Sequence, residues 1–151
     1  MSRRLDRWRG RLEADQPEVV VCRGGDCGSR RTHPRVDHAG QLARLREALD
    51  GQHATVVASR CLDACDRSNV VVVSPGRQGR EAGIEPVWFG EVLDEAATEA
   101  VVDWVASGDA RTEPPPLLGG HRFDADRRSR RDLSTRRAIP GRRARERPTI
   151  G

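Results

Sequence analysis

The chain contains no lysine: all 27 of its basic residues are arginine, set against 23 aspartates and glutamates for a formal charge of +4. Such an arginine-only bias is what a GC-rich genome produces. Without lysine there is no P-loop, and the glycine-rich stretch Arg23-Gly24-Gly25-Asp26-Cys27-Gly28 also lacks the full dinucleotide-binding pattern. Aromatic residues are 3% of the chain and hydrophobic residues 36%. A core can therefore form only where apolar residues are concentrated, between Glu18 and Ala106. No apolar run approaches the roughly 20 residues of a membrane span. The arginines near Met1 are not followed by the apolar core of a signal peptide. The expectation is a cytoplasmic protein with no membrane role.

The 151 residues suffice for one domain with extensions. Residues 18–109 hold 10 Arg and 15 Asp or Glu, a balance of −5, whereas residues 110–151 hold 12 Arg and 5 acids, a balance of +7. An acidic core carries a basic extension. Leu5, Trp8 and Leu12 share one face of a short helix predicted within residues 1–17. The folded domain is expected over 18–109. Residues 110–151, rich in Arg, Pro and Gly, are predicted to be a disordered tail, because Pro114-Pro115-Pro116 and Gly119-Gly120 break regular structure and few apolar residues offset the entropy of ordering.

Within the domain the order is strand, helix, strand, strand, strand, helix. Val19 to Cys22 reads as a buried strand. Asp37 can cap a helix with Leu42, Leu45 and Leu49 in a stripe, ended by Gly51. Ala54 to Ser59 is a second strand, joined to the first by a right-handed parallel crossover. Asn69 to Ser74 is a third. A polar loop then leads to Pro86–Gly90, a short antiparallel strand, and Asp94 caps a last helix with Ala97, Val101, Trp104 and Val105 on one face, ended by Gly108.

Cysteine is as scarce as the aromatics. There are four, in two pairs: Cys22 and Cys27 with four residues between them, and Cys61 and Cys65 with three, the pairs being 33 residues apart. Each pair follows a valine-rich run, which places both at the carboxyl ends of strands. In a reducing compartment such pairs bind metal or do catalysis more often than they form disulfides. Four soft thiolates from two loops suit a tetrahedral zinc or an iron-sulfur cluster. The gaps of four and three suit a larger object with two metals, each held by two thiolates, but leave zinc open. Disulfides also stay open, whereas a thioredoxin-type dithiol requires a gap of two. His33 and His38 flank the first helix, yet a Rieske arrangement needs histidine in both loops and the second has none. These two, with His53 and His121, read as surface or capping residues, and Trp88 and Trp104 as core.

The pattern Cys22-x4-Cys27-x33-Cys61-x3-Cys65 includes Cys61-Leu62-x-Ala64-Cys65, and is followed by Asn69-Val70-Val71-Val72-Val73 and Pro86-Val87-Trp88-Phe89-Gly90-Glu91-Val92. In this it resembles the thioredoxin-like [2Fe-2S] ferredoxins, and in its first cysteine gap it is similar to the 24-kDa-type subunit of NADH-quinone oxidoreductase. The resemblance covers roughly Glu18 to Ser107. It implies an α/β, thioredoxin-like fold with a central mixed four-stranded sheet and two main helices. It also implies one [2Fe-2S] cluster, with Cys22 and Cys27 on one iron and Cys61 and Cys65 on the other.

The function that follows is a small carrier of single electrons between protein partners, a reductase or an oxidoreductase subunit, and not an enzyme in itself. The sequence is compatible with a homodimer. An acidic surface around the cluster would steer it toward a basic partner. Two alternatives stand beside it: a cluster-based redox sensor whose basic tail, through Arg127-Arg128-Ser129-Arg130-Arg131, contacts nucleic acid, and a zinc-stapled interaction module. Nucleic acid is the lesser expectation, since a charge run is usually a solvated one.

Overall fold

Valine supplies most of the sheet, and its burial on both faces explains why the strands read as unbroken apolar runs rather than as alternating ones. The computed structural model describes residues 16–107, 110 and 112–137. Strand β1 (Glu18–Cys22) lies parallel to β2 (Thr55–Ser59), with Glu18 opposite Thr55 and Cys22 opposite Ser59. Between them runs helix α1 (His38–Leu49). On the other edge of β1, β3 (Val71–Ser74) is antiparallel, with Val20 opposite Val72. Strand β4 (Val87–Phe89) pairs antiparallel with β3, and β5 (Arg122–Phe123) with β4. The result is a five-stranded mixed sheet in the order β2-β1-β3-β4-β5.

Strand periodicity divides the valines between two cores. Val19, Val21, Val71, Val73 and Phe89 face Leu45 and Leu49 of α1 and Val101, Trp104 and Val105 of a helix over Glu95–Ser107. There the Phe89 and Trp104 rings meet edge to face, their centroids 5.7 Å apart. Val20, Cys22, Val70, Val72 and Trp88 point to the opposite face. Each buried Val or Leu contributes about 1.5–3 kcal/mol relative to exposure.

Both expected caps form: the Asp37 carboxylate accepts from Gly40 N at 2.9 Å, and that of Asp94 from Ala97 N at 2.8 Å. Gly51, at φ +81°, takes the left-handed position just past α1. The expected helix over residues 1–17 and the expected stop at Gly108 lie outside the described residues.

Two expectations need correction. The loop after β3 contains a short helix, α2 (Arg77–Glu81). With α3 being Glu95–Ser107, the chain then continues into α4 (Pro116–Gly119), β5 and α5 (Arg127–Arg137), within the stretch expected to be disordered. The sheet accordingly has five strands, not four. Composition misleads here because the few apolar residues are well spaced. Leu118 is fully buried in the core beneath α1 and α3, and Ala125 and Leu133 close the opposite face over Trp88. Arginine is itself a good helix former, so an arginine-rich segment needs only a few anchors. Residues 138–151 of the expected tail lie outside the described residues. Among those described, no helix is long and apolar enough to cross a membrane.

If α5 is docked through Leu133, Leu133→Ala should lower the unfolding free energy by about 2–4 kcal/mol. Urea titration reads this directly; a loss below roughly 0.5 kcal/mol, the level of an ordinary surface substitution, would mean that the helix is not part of the fold.

Candidate metal centre

The sheet delivers the two cysteine loops to one end. Cys22 is the last residue of β1, its N–H bonded to Val70 O at 3.1 Å, and the next amide, Arg23 N, donates to Ser59 O at 2.9 Å. Just beyond Ser59, at the end of β2, Cys61 opens the second loop. The first loop turns tightly, Cys27 N donating to Gly24 O at 3.1 Å.

Two glycines let the loops touch. A Cβ on Gly24 would run into the backbone nitrogen of Cys61. One on Gly25, which has φ +59°, would lie 2.6 Å from Cys65 Sγ and 3.2 Å from Cys61 Sγ. The backbone of the first loop therefore lies directly against the sulfurs of the second. Gly28 has a different part: its N–H donates to Asn69 Oδ1 at 2.8 Å.

All four cysteines are free. Cys22 and Cys27 are buried, and Cys61 and Cys65 half-buried with their sulfurs 3.5 Å apart. Backbone amides point at two of the sulfurs, Val70 N at Cys27 Sγ and Asp63 N at Cys61 Sγ, each at 3.3 Å. The Cys27 thiol donates to the Cys22 sulfur and lowers the Cys22 thiol to about 6 against the opposing effect of burial. The same hydrogen bond, with burial, raises Cys27. This pair releases one proton readily and holds the other. Burial raises Cys61, with the Asp63 amide opposing it.

Behind the first pair sits Arg23. Its guanidinium donates to Cys22 O (2.9 Å), His38 O (3.1 Å) and Gln41 Oε1 (2.7 Å), and burial lowers its pKa. Gln41 passes the connection on, its amide donating to Val92 O at 2.8 Å and Thr98 Oγ1 at 3.1 Å. A second polar anchor is Asn69, which is fully buried. Because its Oδ1 accepts from Gly28, its Nδ2 must donate to His38 Nδ1, 2.9 Å away; His38 then carries its proton on Nε2 and donates to His33 O at 3.1 Å.

His38 is therefore a buried bridge rather than a surface residue, and His33 Nε2 meets Ser68 Oγ at 2.8 Å. His121 bonds to Gly90 O, His53 is exposed, and Trp88 and Trp104 are core, as expected. Sequence reasoning missed the anchoring roles of Asn69, Arg23 and Gln41. The available signal was a polar residue, Asn69, heading the run Val70–Val73, and an amide, Gln41, inside the leucine stripe of α1.

Among the described residues no three or more His, Cys, Asp or Glu side chains form a group that could hold one metal ion. The thiols approach in twos instead. A mononuclear zinc site needs four ligands on one centre, while a binuclear cluster needs two on each of two centres. The free thiols and the amides aimed at Sγ are donor types that suit either centre. Compared with known proteins, the chain matches no family model, no curated protein and no solved structure.

Replacing Asn69 with Ala leaves Gly28 N and His38 Nδ1 without their partner, at a cost of roughly 2–4 kcal/mol. Asn69→Asp keeps the acceptor for Gly28 and should lose less. Equal stability of the wild type and Asn69→Ala in urea would remove Asn69 as the anchor of the first loop.

Proposed function

We propose that the protein is a small one-electron carrier that binds one [2Fe-2S] cluster, Cys22 and Cys27 holding one iron and Cys61 and Cys65 the other, on a thioredoxin-like core. It acts between redox proteins in the cytoplasm and is not an enzyme by itself. The observation that carries this reading is the contact of the two loops at Gly24 and Gly25, which sets the loop of Cys22 and Cys27 against that of Cys61 and Cys65, all four thiols unbonded. The parallel β1–β2 pair joined by α1, followed by antiparallel β3 and β4 and then α3, supports the thioredoxin-like part.

When bound, such a cluster supplies one reversible electron. The chain's own residues set how strongly it is held. The Val70 and Asp63 amides withdraw charge from Cys27 and Cys61, and the half-buried Arg23 guanidinium adds a cation behind Cys22; both favour the more negative, reduced state. Asp26, Asp63 and Asp66, all exposed, act in the opposite direction through solvent, which screens them. Half-burial of Cys61 and Cys65 leaves the second loop as the side from which a partner can approach.

Anaerobically purified protein should be coloured, contain about two irons and two sulfides per chain, and give a paramagnetic signal on reduction. A colourless protein with one zinc would sink this reading.

A paired substitution isolates the loop contact. Gly51→Ala and Gly25→Ala each force a side chain into a left-handed position, at about 1–2 kcal/mol. Gly51 has nothing within 4 Å of the new Cβ, so that variant should keep its iron. Gly25→Ala should lose most of it, since its Cβ displaces Cys65 Sγ. Equal iron in the two variants would show that the contact does not assemble the site.

A further inference from the structure

Counted along the chain, the domain over 18–109 is acidic and the rest basic. In three dimensions the charges regroup. Helix α5 lies on the sheet face that holds Cys22 and Cys27, anchored by Leu133 and Ala125. At its first turn Ser129 Oγ donates to Asp63 O at 3.1 Å, inside the loop between Cys61 and Cys65. Ser129 and Leu133, one turn apart, are the buried positions. At 100° per residue, Arg127, Arg128 and Arg131 then point outward, and all three are exposed.

They do not stand alone. Arg67, two residues past Cys65, is exposed with its guanidinium 5.3 Å from the centre of the Phe123 ring on β5. Arg30 and Arg31, just past Cys27, are exposed as well, on a loop joined to Ser68 through His33. Taken together, segments 23–37, 60–67 and 124–131 hold ten arginines and six aspartates, a balance of +4. The first two of these contribute +2 to the −5 of residues 18–109, so the remainder of that domain carries −7. Among the described residues, the segments that carry or adjoin the cysteine loops are thus net positive, and the rest of the domain net negative.

We propose that the outer face of α5, with the arginines beside the cysteine loops, is the docking surface for an acidic patch on a partner protein, one that exchanges electrons with the cysteine site. The exchange rests on the electron-carrier reading above; the docking surface does not. This reverses the basic partner expected from the charge of the domain alone. Complementary charge would steer the encounter and orient the cysteine end toward the partner. Nucleic acid fits less well. Its backbone presents one negative charge per ~1.7 Å with no cations to match Asp63, Asp66 and Asp126, whereas a protein surface intersperses both signs. Stacking on bases also needs exposed aromatics, and among the described residues the one exposed large hydrophobic is Leu117.

The test compares wild type with the triple variant Arg127→Gln, Arg128→Gln, Arg131→Gln, whose solvent-facing changes should leave the unfolding curve unmoved. Dye-labelled poly-L-glutamate, followed by anisotropy at low salt, should bind the variant about tenfold more weakly. This arm reads the surface whether or not the protein holds a cluster. In the reduced, iron-loaded protein, one electron passes to hexacyanoferrate(III), giving hexacyanoferrate(II). That rate should fall several-fold in the variant and with added salt, while oxidation by the cationic hexaamminecobalt(III) should not fall. Colourless protein that still shows the difference in polyglutamate binding would keep the acidic docking surface and end the electron-carrier reading alone. Unchanged polyglutamate binding would overturn the proposal. So would a gel shift of duplex DNA at physiological salt that the triple variant abolishes, since the surface would then belong to nucleic acid.

Discussion

The backbone of Gly24 lies so close to that of Cys61 that no side chain fits between them. Everything at the cysteine end follows from this contact. It requires β1 and β2 to be adjacent and parallel, because only then do both loops emerge at the same edge. That adjacency in turn requires a crossover, which α1 supplies, and a covered face on which the crossover can rest, which Leu45, Leu49 and α3 supply. The valine runs thus serve the site indirectly: they make the sheet stiff enough to hold the glycine-rich first loop against the second.

The second loop is pinned by the fully buried Leu62, whereas the first, Arg23 to Gly28, has no large apolar residue and is held by polar contacts instead. Asn69 ties the first loop to α1 through Gly28 and His38, while Arg23 and Gln41 tie it to the start of α3 through Val92 and Thr98. In low dielectric such a network gains strength from each partner and loses heavily when one is removed. A change in charge at the cysteines would be felt first at Arg23, which touches both the strand carrying Cys22 and the helix that covers the sheet.

The strands, both helix caps and the two cysteine loops were legible in the sequence because each rests on local chemistry: a valine run, an aspartate before an amphipathic stripe, a cysteine after a strand. Asn69 and Gln41 were not, because a buried amide is recognised by partners 31 to 57 residues away and no periodicity encodes them. His38 was misjudged for the same reason. The C-terminal segment failed differently. Averaged over 42 residues, its composition is that of a disordered chain, but docking depends on three or four positions, and Leu118, Ala125 and Leu133 fall where the two cores are incomplete.

Charge shows the same distinction between an average and an arrangement. A balance of −5 over residues 18–109 is correct as arithmetic and misleading as electrostatics, because fields act over about a Debye length and not over a segment of sequence. Once Leu133 and Ser129 bring α5 against the sheet and the Cys61–Cys65 loop, its arginines belong electrically to the cysteine end. Two buried contacts on a helix that is otherwise almost wholly polar therefore decide which sign of surface stands beside the cysteine loops.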